Sequence, residues 1–191
     1  VKLFGEDRRS NIISLDGEIS IQKSNHVLVV TSKGKVKKLD ENTESVGAIE
    51  QGDRPISILH VNNHDNLLVF DQYGKVHKLS VHQIISHDIR SHGQDINDYI
   101  KVSGEVVQIH KIPSDKDKTW DNSSFIFISK GGTIKRSGID KFKDIRTELM
   151  GMVLKDGDLV QDIITVSGDK KILVYTENGM GGYFDSSEIS E

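Results

Sequence analysis

Lysine and arginine side chains gather on short stretches around glycine turns. Residues 32–39 contain four lysines and no acid, and a second basic group surrounds Gly131 and Gly132. Cations at this density suit the phosphates of a nucleic-acid backbone, where such contacts position the polymer without reading its sequence. The candidate phosphate-binding residues are Lys33, Lys35, Lys37, Lys38, Lys75, Lys78, Lys130, Lys135, Arg136 and Lys143.

The same lysines have a second interpretation. Exposed hairpins carry lysine for solubility and to protect strand edges from pairing with other chains. The formal net charge is -4, and the acids collect in residues 40–44, 115–121 and 156–158. The charge is therefore segregated along the chain, and the total alone does not decide between the two interpretations.

Other patterns that could support chemistry are weaker. Four histidines recur at five-residue intervals, whereas a metal-binding pair needs a spacing of two on a strand or four on a helix. Asp115 and Asp117 lie in a polar loop without a converging acid cluster, and none of the tyrosines adjoins an arginine. We therefore predict no catalytic residue and no metal site. A further hypothesis is that His77 and His82 lie near the outer rim of the fold and strengthen phosphate binding when protonated below a pKa of about 6.5.

Four β-hairpins are expected to position the cations. Each begins with an apolar run and turns at a glycine, which supplies the positive φ of a tight turn. Their spacing of roughly 40–60 residues indicates a repeat architecture. The hairpins occupy residues 27–39, 67–79, 125–136 and 172–184.

The segments between hairpins complete a repeating unit of four strands. A short strand, a turn containing glycine and an acid, and a longer strand follow one another, which predicts an all-β fold of propeller-like blades. Helical segments are limited to single turns at residues 81–87 and 139–142, and residues 113–124 form an inserted loop. Trp120 in this loop either packs back onto a blade or serves as an exposed contact. The predicted strand pairs are residues 46–49 and 56–61, 96–102 and 106–112, and 150–154 and 159–166.

Composition limits the classes of protein that the chain can belong to. The 191 residues include no cysteine, so disulfides and thiolate metal sites are excluded. Mean hydropathy is -0.40, and no apolar run reaches the roughly 18 residues of a membrane helix. Because the sequence starts at Val1 rather than at methionine, we expect it to be part of a longer chain.

The order of these motifs resembles the C-terminal domain of type IIA topoisomerase A subunits. Residues 4–12, Phe-Gly-Glu-Asp-Arg-Arg-Ser-Asn-Ile, are similar to the exit from the coiled-coil tail of that family, and residues 17–38 follow its first blade. The Gly-Asp turns at residues 52–53 and 157–158 and the hairpins at Gly74 and Gly132 are similar to its repeats. The resemblance implies a β-pinwheel of about four four-stranded blades that exchange strands and carry DNA on the outer rim.

One segment departs from the gyrase pattern. Gyrase A subunits carry a Gln-Arg-Arg-Gly-Gly-Lys-Gly box just after the first hairpin, whereas residues 40–47 read Asp-Glu-Asn-Thr-Glu-Ser-Val-Gly. The box is associated with DNA wrapping for negative supercoiling. Its absence makes the chain resemble a topoisomerase IV-type or divergent subunit more than a supercoiling gyrase.

The resemblance also implies a domain organisation and partners. Residues 1–18 would be a linker from a cleavage core, and residues 19–191 a β-pinwheel that binds and bends duplex DNA for ATP-dependent strand passage. The domain alone would catalyse nothing. The parent enzyme would use Mg²⁺ and ATP through a topoisomerase B subunit, form an A-subunit homodimer through its N-terminal region, and work in the cytoplasm at the nucleoid without a membrane partner. The alternative is a propeller-like protein-interaction module that does not bind DNA.

Overall fold

The chain folds into small antiparallel sheets built around hairpins. The structure is a computed structural model that describes residues 21–112 and 122–190. Within these residues there are thirteen β-strands, one short α-helix and three turns of 3-10 helix. The predicted linker at residues 1–18 and Trp120 fall outside the described residues.

The first sheet, blade 1, has the strand order β3-β1-β2-β6. Strands β1 (Asn25–Thr31) and β2 (Lys35–Asp40) form the first predicted hairpin, whose loop contains Gly34 at a φ of +75°. Strand β3 (Pro55–Asn62) pairs with β1, and the two-residue strand β6 (Gln94–Asp95) pairs with β2.

The second sheet, blade 2, repeats this arrangement in the order β10-β5-β4-β7. Its hairpin consists of β4 (Asn66–Asp71) and β5 (Lys75–Ser80). Strand β7 (Val106–Lys111) pairs with β4, and β10 (Glu148–Met150) pairs with β5. Blades 1 and 2 thus have the predicted number of strands, four each, although the fourth strand is not the short strand that the sequence predicts.

Two smaller sheets complete the described residues. Blade 3 contains β8 (Ser123–Ser129), β9 (Ile134–Gly138) and β11 (Val160–Ser167), in the order β11-β8-β9. The fourth hairpin consists of β12 (Lys171–Tyr175) and β13 (Gly181–Asp185). All four predicted hairpins are confirmed, although these two sheets have three and two strands within the described residues rather than four.

Helical structure is confined to single turns, as predicted. The 3-10 turns span Val81–Gln83, Ile96–Asp98 and Ser186–Glu188, and helix α1 spans Asp140–Lys143. The first of these turns and α1 occur where the sequence predicts them, at residues 81–87 and 139–142.

Neighbouring units exchange a strand. In sequence, β6 lies between β5 and β7 of blade 2, yet it pairs with β2 of blade 1. Strand β10 lies between β9 and β11 of blade 3, yet it pairs with β5 of blade 2. The second and third units therefore each add the last strand to the sheet before them, which is the arrangement of a β-pinwheel.

Three predicted short strands differ from the structure. Residues 46–49 and 96–102 are not strands, and the strand predicted at residues 150–154 lies earlier, as β10. At residue 96 the chain turns because Asp95 Oδ1 accepts a hydrogen bond from Asn97 N at 3.0 Å while Ile96 enters the core. An exchanged strand pairs over only two or three residues before the chain continues into its own blade. A prediction based on apolar content alone therefore places such a strand at the wrong residues.

The hairpin strands are apolar on both sides because each blade packs against the next. The buried cluster between blades 1 and 2 joins Leu28 and Val30 to Leu67 and Val69. The next clusters join Leu68 and Phe70 to Phe125 and Phe127, and Ile126 to Ile172. Successive residues of a hairpin strand therefore pack against the blades on its two opposite sides, which explains why the strands are apolar at consecutive positions.

The blades have an inner and an outer edge. Strand β7 contacts both β3 and β11, so the sheets converge at the edge formed by these three strands. The exchanged strands β6 and β10 lie at the opposite edge, which we call the rim.

Turns that contain glycine and an acid hold the hairpin loops. Asp53 Oδ1 accepts hydrogen bonds from Ser32 Oγ at 2.8 Å and Lys33 N at 3.1 Å, and Asp158 Oδ1 accepts one from Gly131 N at 2.8 Å. In blade 2 the contact is made by the backbone, from Gln72 N to Glu105 O at 3.0 Å. Asp53 and Asp158 therefore stabilise the loops of the first and third hairpins.

Candidate nucleic-acid interface

Lys37 and Lys38 are buried, in contrast to their predicted role as phosphate contacts. Lys37 is 2% exposed, and its Nζ donates to Ala48 O at 2.7 Å and to Ser91 O at 3.1 Å. Burial lowers the pKa of both ammonium groups. Because these side chains are enclosed and hydrogen-bonded, the structure does not support direct phosphate contact at these two positions.

Lys38 and Arg136 occupy the same place in the first and third hairpins, four residues after the loop glycine. Lys38 Nζ contacts Val81 O and Asn63 Oδ1, both at 3.4 Å. Arg136 Nη1 donates to Ser186 O at 3.2 Å and Nε to Ser124 Oγ at 3.1 Å. Val81 and Ser186 each begin the 3-10 turn after the following hairpin, so these two cations connect neighbouring units.

Four other predicted residues also have protein partners. Lys135 Nζ donates to Gly151 O at 2.9 Å, and exposed Lys33 donates to Gln51 O at 3.1 Å. Two half-buried lysines form ion pairs with acids of the exchanged strands at the rim: Lys35 with Asp95 at 3.7 Å and Lys75 with Glu148 at 3.1 Å. Their charges are partly neutralised before any ligand arrives.

Three predicted residues make no side-chain hydrogen bond or ion pair within the described part of the chain: Lys78 on β5, Lys130 and Lys143. Lys130 is exposed in the loop between β8 and β9, and Lys143 is half-buried in the last turn of α1.

Two further cations share this property and were not among the predicted residues. Lys101 and Arg146 are exposed and line the same groove as Lys78. Lys101 lies in a segment predicted as a strand, and Arg146 lies outside the hairpin pattern. The sequence marks these two residues only by their charge. It does not indicate their position beside β5, because that position depends on strand exchange between distant parts of the chain.

His77 lies beside the rim strand β10, as the protonation hypothesis places it, but its side chain is buried and contacts acids of the protein. It is 3% exposed, with Nε2 3.1 Å from Asp71 Oδ2 and Nδ1 3.7 Å from Glu148 Oε2. It occupies the position of Lys37 and Lys135 in the neighbouring hairpins and connects β5 to exchanged strand β10. His82 is exposed.

Among residues 21–112 and 122–190 there is no group of three or more His, Asp or Glu side chains arranged to hold a metal ion. No helix in the same residues is both long and apolar enough to cross a membrane.

Comparisons with known proteins agree with this fold. Residues 25–43 and 123–167 match the family model described as the DNA gyrase C-terminal domain, beta-propeller. The chain is 28% identical to the gyrase A protein of Streptococcus pyogenes serotype M3 over 93% of its length. It is 27% identical to the topoisomerase 4 A protein of Staphylococcus epidermidis over all of its length. The chain spans 23% and 25% of the length of those two relatives.

A solved C-terminal domain of DNA topoisomerase IV is similar in structure, with a TM-score of 0.77 and 25% sequence identity. The match covers 88% of this chain and 54% of that domain. The fold therefore defines a β-pinwheel of the topoisomerase type. The chain is similar in sequence and fold to the C-terminal domains of gyrase and topoisomerase IV A subunits, and its residues 40–47 do not match the gyrase box.

Proposed function

We propose that this domain binds duplex DNA along its rim without sequence preference. The observation that carries the proposal is a set of cations beside the exchanged strands that lack protein partners among the described residues: Lys78, Lys101 and Arg146. Most of the other predicted cations already serve as ties between segments. Cations without such partners can replace the counterions of DNA, which is the main source of sequence-independent affinity.

The bound duplex would be bent and presented to the strand-passage core of a type II topoisomerase. This part of the proposal is supported by the similarity to gyrase and topoisomerase IV A subunits. In the parent enzyme, Mg²⁺ and ATP would act through a B subunit, and the A subunits would pair through their N-terminal region. The domain itself would supply DNA binding and no catalysis.

The acidic sequence after the first hairpin favours relaxation or decatenation over supercoiling. Residues 40–47 contain three acids and no arginine, so this segment would repel rather than attract a DNA backbone. Assays of the full-length enzyme with and without this domain would test the assignment. We expect decatenation to depend on the domain, and ATP-driven negative supercoiling would contradict this part of the proposal.

Mobility-shift titrations test DNA binding itself. Two duplexes of equal length and unrelated sequence should be retarded with dissociation constants within about threefold of each other, because phosphate contacts carry no sequence information. A fluorophore at each end of the duplex would report bending as an increase in energy transfer on binding. Failure to retard either duplex at low salt would reject the proposal and favour the alternative, a protein-interaction module.

A further inference from the structure

A groove crosses the rim side of blade 2. It has a volume of about 530 Å³ and is lined by residues of β5, by residues 99–101 and by residues 146–148. Residues 99–101 follow exchanged strand β6, and residues 146–148 lead into exchanged strand β10. The groove is therefore built where two consecutive strand exchanges meet the same hairpin.

Positive charge exceeds negative charge in this groove. Lys78, Lys101 and Arg146 line it, and among the lining residues Glu148 is the one carboxylate. That carboxylate already contacts Lys75 Nζ at 3.1 Å and His77 Nδ1 at 3.7 Å. The three cations have no ion pair of their own within the residues that the structure describes.

Lys78 differs from the equivalent residues of the first and third hairpins. It lies four residues after Gly74, as Lys38 and Arg136 lie after Gly34 and Gly132. Lys38 and Arg136 both contact a carbonyl of the next 3-10 turn, Val81 O and Ser186 O respectively. Lys78 makes no corresponding bond in the described structure and lines the groove instead. The same repeat position thus ties units together in blades 1 and 3, and is available to a ligand in blade 2.

Backbone hydrogen bonds hold the two walls of the groove. Lys78 N donates to Thr147 O at 2.8 Å, which fixes the segment that carries Arg146 against β5. On the other wall, Tyr99 N and Ile100 N both donate to Ile96 O at 3.0 Å, and the Tyr99 hydroxyl donates to Gln94 Oε1 at 2.7 Å. The cationic side chains therefore extend from anchored backbone, which lowers the entropy lost on binding.

We propose that this groove binds a phosphodiester of the DNA backbone between Lys78, Lys101 and Arg146. The inference rests on the proposed function and assigns it a specific contact site. The guanidinium can form two parallel hydrogen bonds to phosphate oxygens, and the two ammonium groups act as point charges. Because both walls belong to exchange segments of consecutive units, a phosphate bound there also bridges them and stabilises the exchanged arrangement.

Charge reversal tests the site against a matched control. Lys101→Glu combined with Arg146→Glu removes two groove cations, and Lys155→Glu combined with Lys170→Glu makes the same change in net charge at exposed residues outside the groove lining. We expect the groove variant to bind a short duplex at least tenfold more weakly than the control. Its slope of log affinity against log salt should become shallower than that of the wild type by about 0.9, the contribution of one phosphate contact.

The outcomes separate the site from the function. If the wild type binds duplex and the groove variant matches the control, the groove assignment is overturned while DNA binding stands. If the wild type does not bind duplex at all, both proposals fail. Should Glu substitution impair folding, as judged by thermal unfolding, Lys101→Gln with Arg146→Gln provides a neutral version, and affinity equal to that of Lys155→Gln with Lys170→Gln would equally overturn the site.

Discussion

Some lysines of this fold are held by hydrogen bonds to the protein and others are available to a ligand, although the sequence does not distinguish them. Lys38 is buried and contacts Val81 O, whereas Lys78, at the same place in the next hairpin, lines an open groove. The difference is whether a carbonyl of the following unit lies within hydrogen-bond distance of the ammonium group. Burial and hydrogen bonding, rather than charge, therefore decide which cations can meet a phosphate.

Lys37→Met tests the structural role of a buried lysine. Methionine retains the apolar stem but leaves Ala48 O and Ser91 O without their donor, so we expect the free energy of unfolding to fall by about 1–3 kcal/mol. Urea unfolding measures this loss. The salt dependence of DNA binding should be unchanged, and a shallower slope would show that Lys37 contacts phosphate after all.

His110 is the residue from which we expect a pH dependence of stability. Burial lowers its pKa to about 4, against an opposing effect of Asp162, and its ring packs against Phe125 with centroids 5.1 Å apart. The unfolded chain protonates His110 near its ordinary pKa, so this stabilising contribution is complete above a pH of about 6.5 and is lost as the pH falls towards 4. The total is about 3 kcal/mol.

The substitution His110→Phe should remove that dependence. His110 Nε2 is buried and has no hydrogen-bond partner among residues 21–112 and 122–190, so an apolar ring of similar size suits the site. Denaturant unfolding of both proteins between pH 8 and pH 4 measures the difference in stability. We expect the variant to gain relative to the wild type as the pH falls, and a constant difference would contradict the assigned cause.

At the scale of elements, the loop glycines couple the hairpins to the exchanged segments. Gly74 has a φ of +81°, and its carbonyl accepts hydrogen bonds from Gly151 N and Met152 N at 2.8 and 3.1 Å. A Cβ at Gly74 would collide with Met152 O. Gly132 has nearly the same φ, +82°, but no neighbouring atom within 4 Å of a Cβ.

These two glycines form a matched pair for mutagenesis. Gly132→Ala should cost about 1–2 kcal/mol, the penalty for a left-handed conformation. Gly74→Ala should cost clearly more, because it also separates the loop from the segment that leads out of β10. Thermal or urea unfolding compares the two variants, and equal losses would refute a role for close contact between hairpin and exchange segment.

The elements differ in how far the sequence predicts them. Hairpins such as β1–β2 are predictable because apolar runs and turn glycines are local signals. The pairing of Gln94–Asp95 with β2 is not, because it covers two residues and joins distant parts of the chain. For the same reason the sequence predicted Lys78 as a binding residue but missed Lys101 and Arg146, which reach the groove only through strand exchange.

On the scale of the whole molecule, the equivalent faces of the first three hairpins are covered, and that of the fourth is exposed within the described residues. Leu28 and Leu68 lie six residues before their loop glycines and are 0% and 1% exposed. Leu173 has the same place in the fourth hairpin and is 65% exposed, as is Tyr183 across the sheet. In the earlier units this face packs against the next hairpin, so its exposure here reflects position in the array.

Truncation of equivalent leucines should therefore have unequal effects. Leu28→Ala should destabilise the domain by about 2–5 kcal/mol, because it removes buried side-chain volume between blades 1 and 2. Leu173→Ala should change the free energy of unfolding by less than about 1 kcal/mol. Chemical denaturation distinguishes them, and a large loss for Leu173→Ala would indicate that its face is covered in solution.

The central claim is that a domain of net charge -4 binds DNA through a few cations that have no protein partner among the described residues. The most direct test is the affinity of the wild-type domain for a short duplex as a function of salt concentration. We predict that the logarithm of the affinity falls linearly with the logarithm of salt, with a slope of about -0.9 per phosphate contact. Affinity that does not change with salt, or no binding at low salt, would contradict the account.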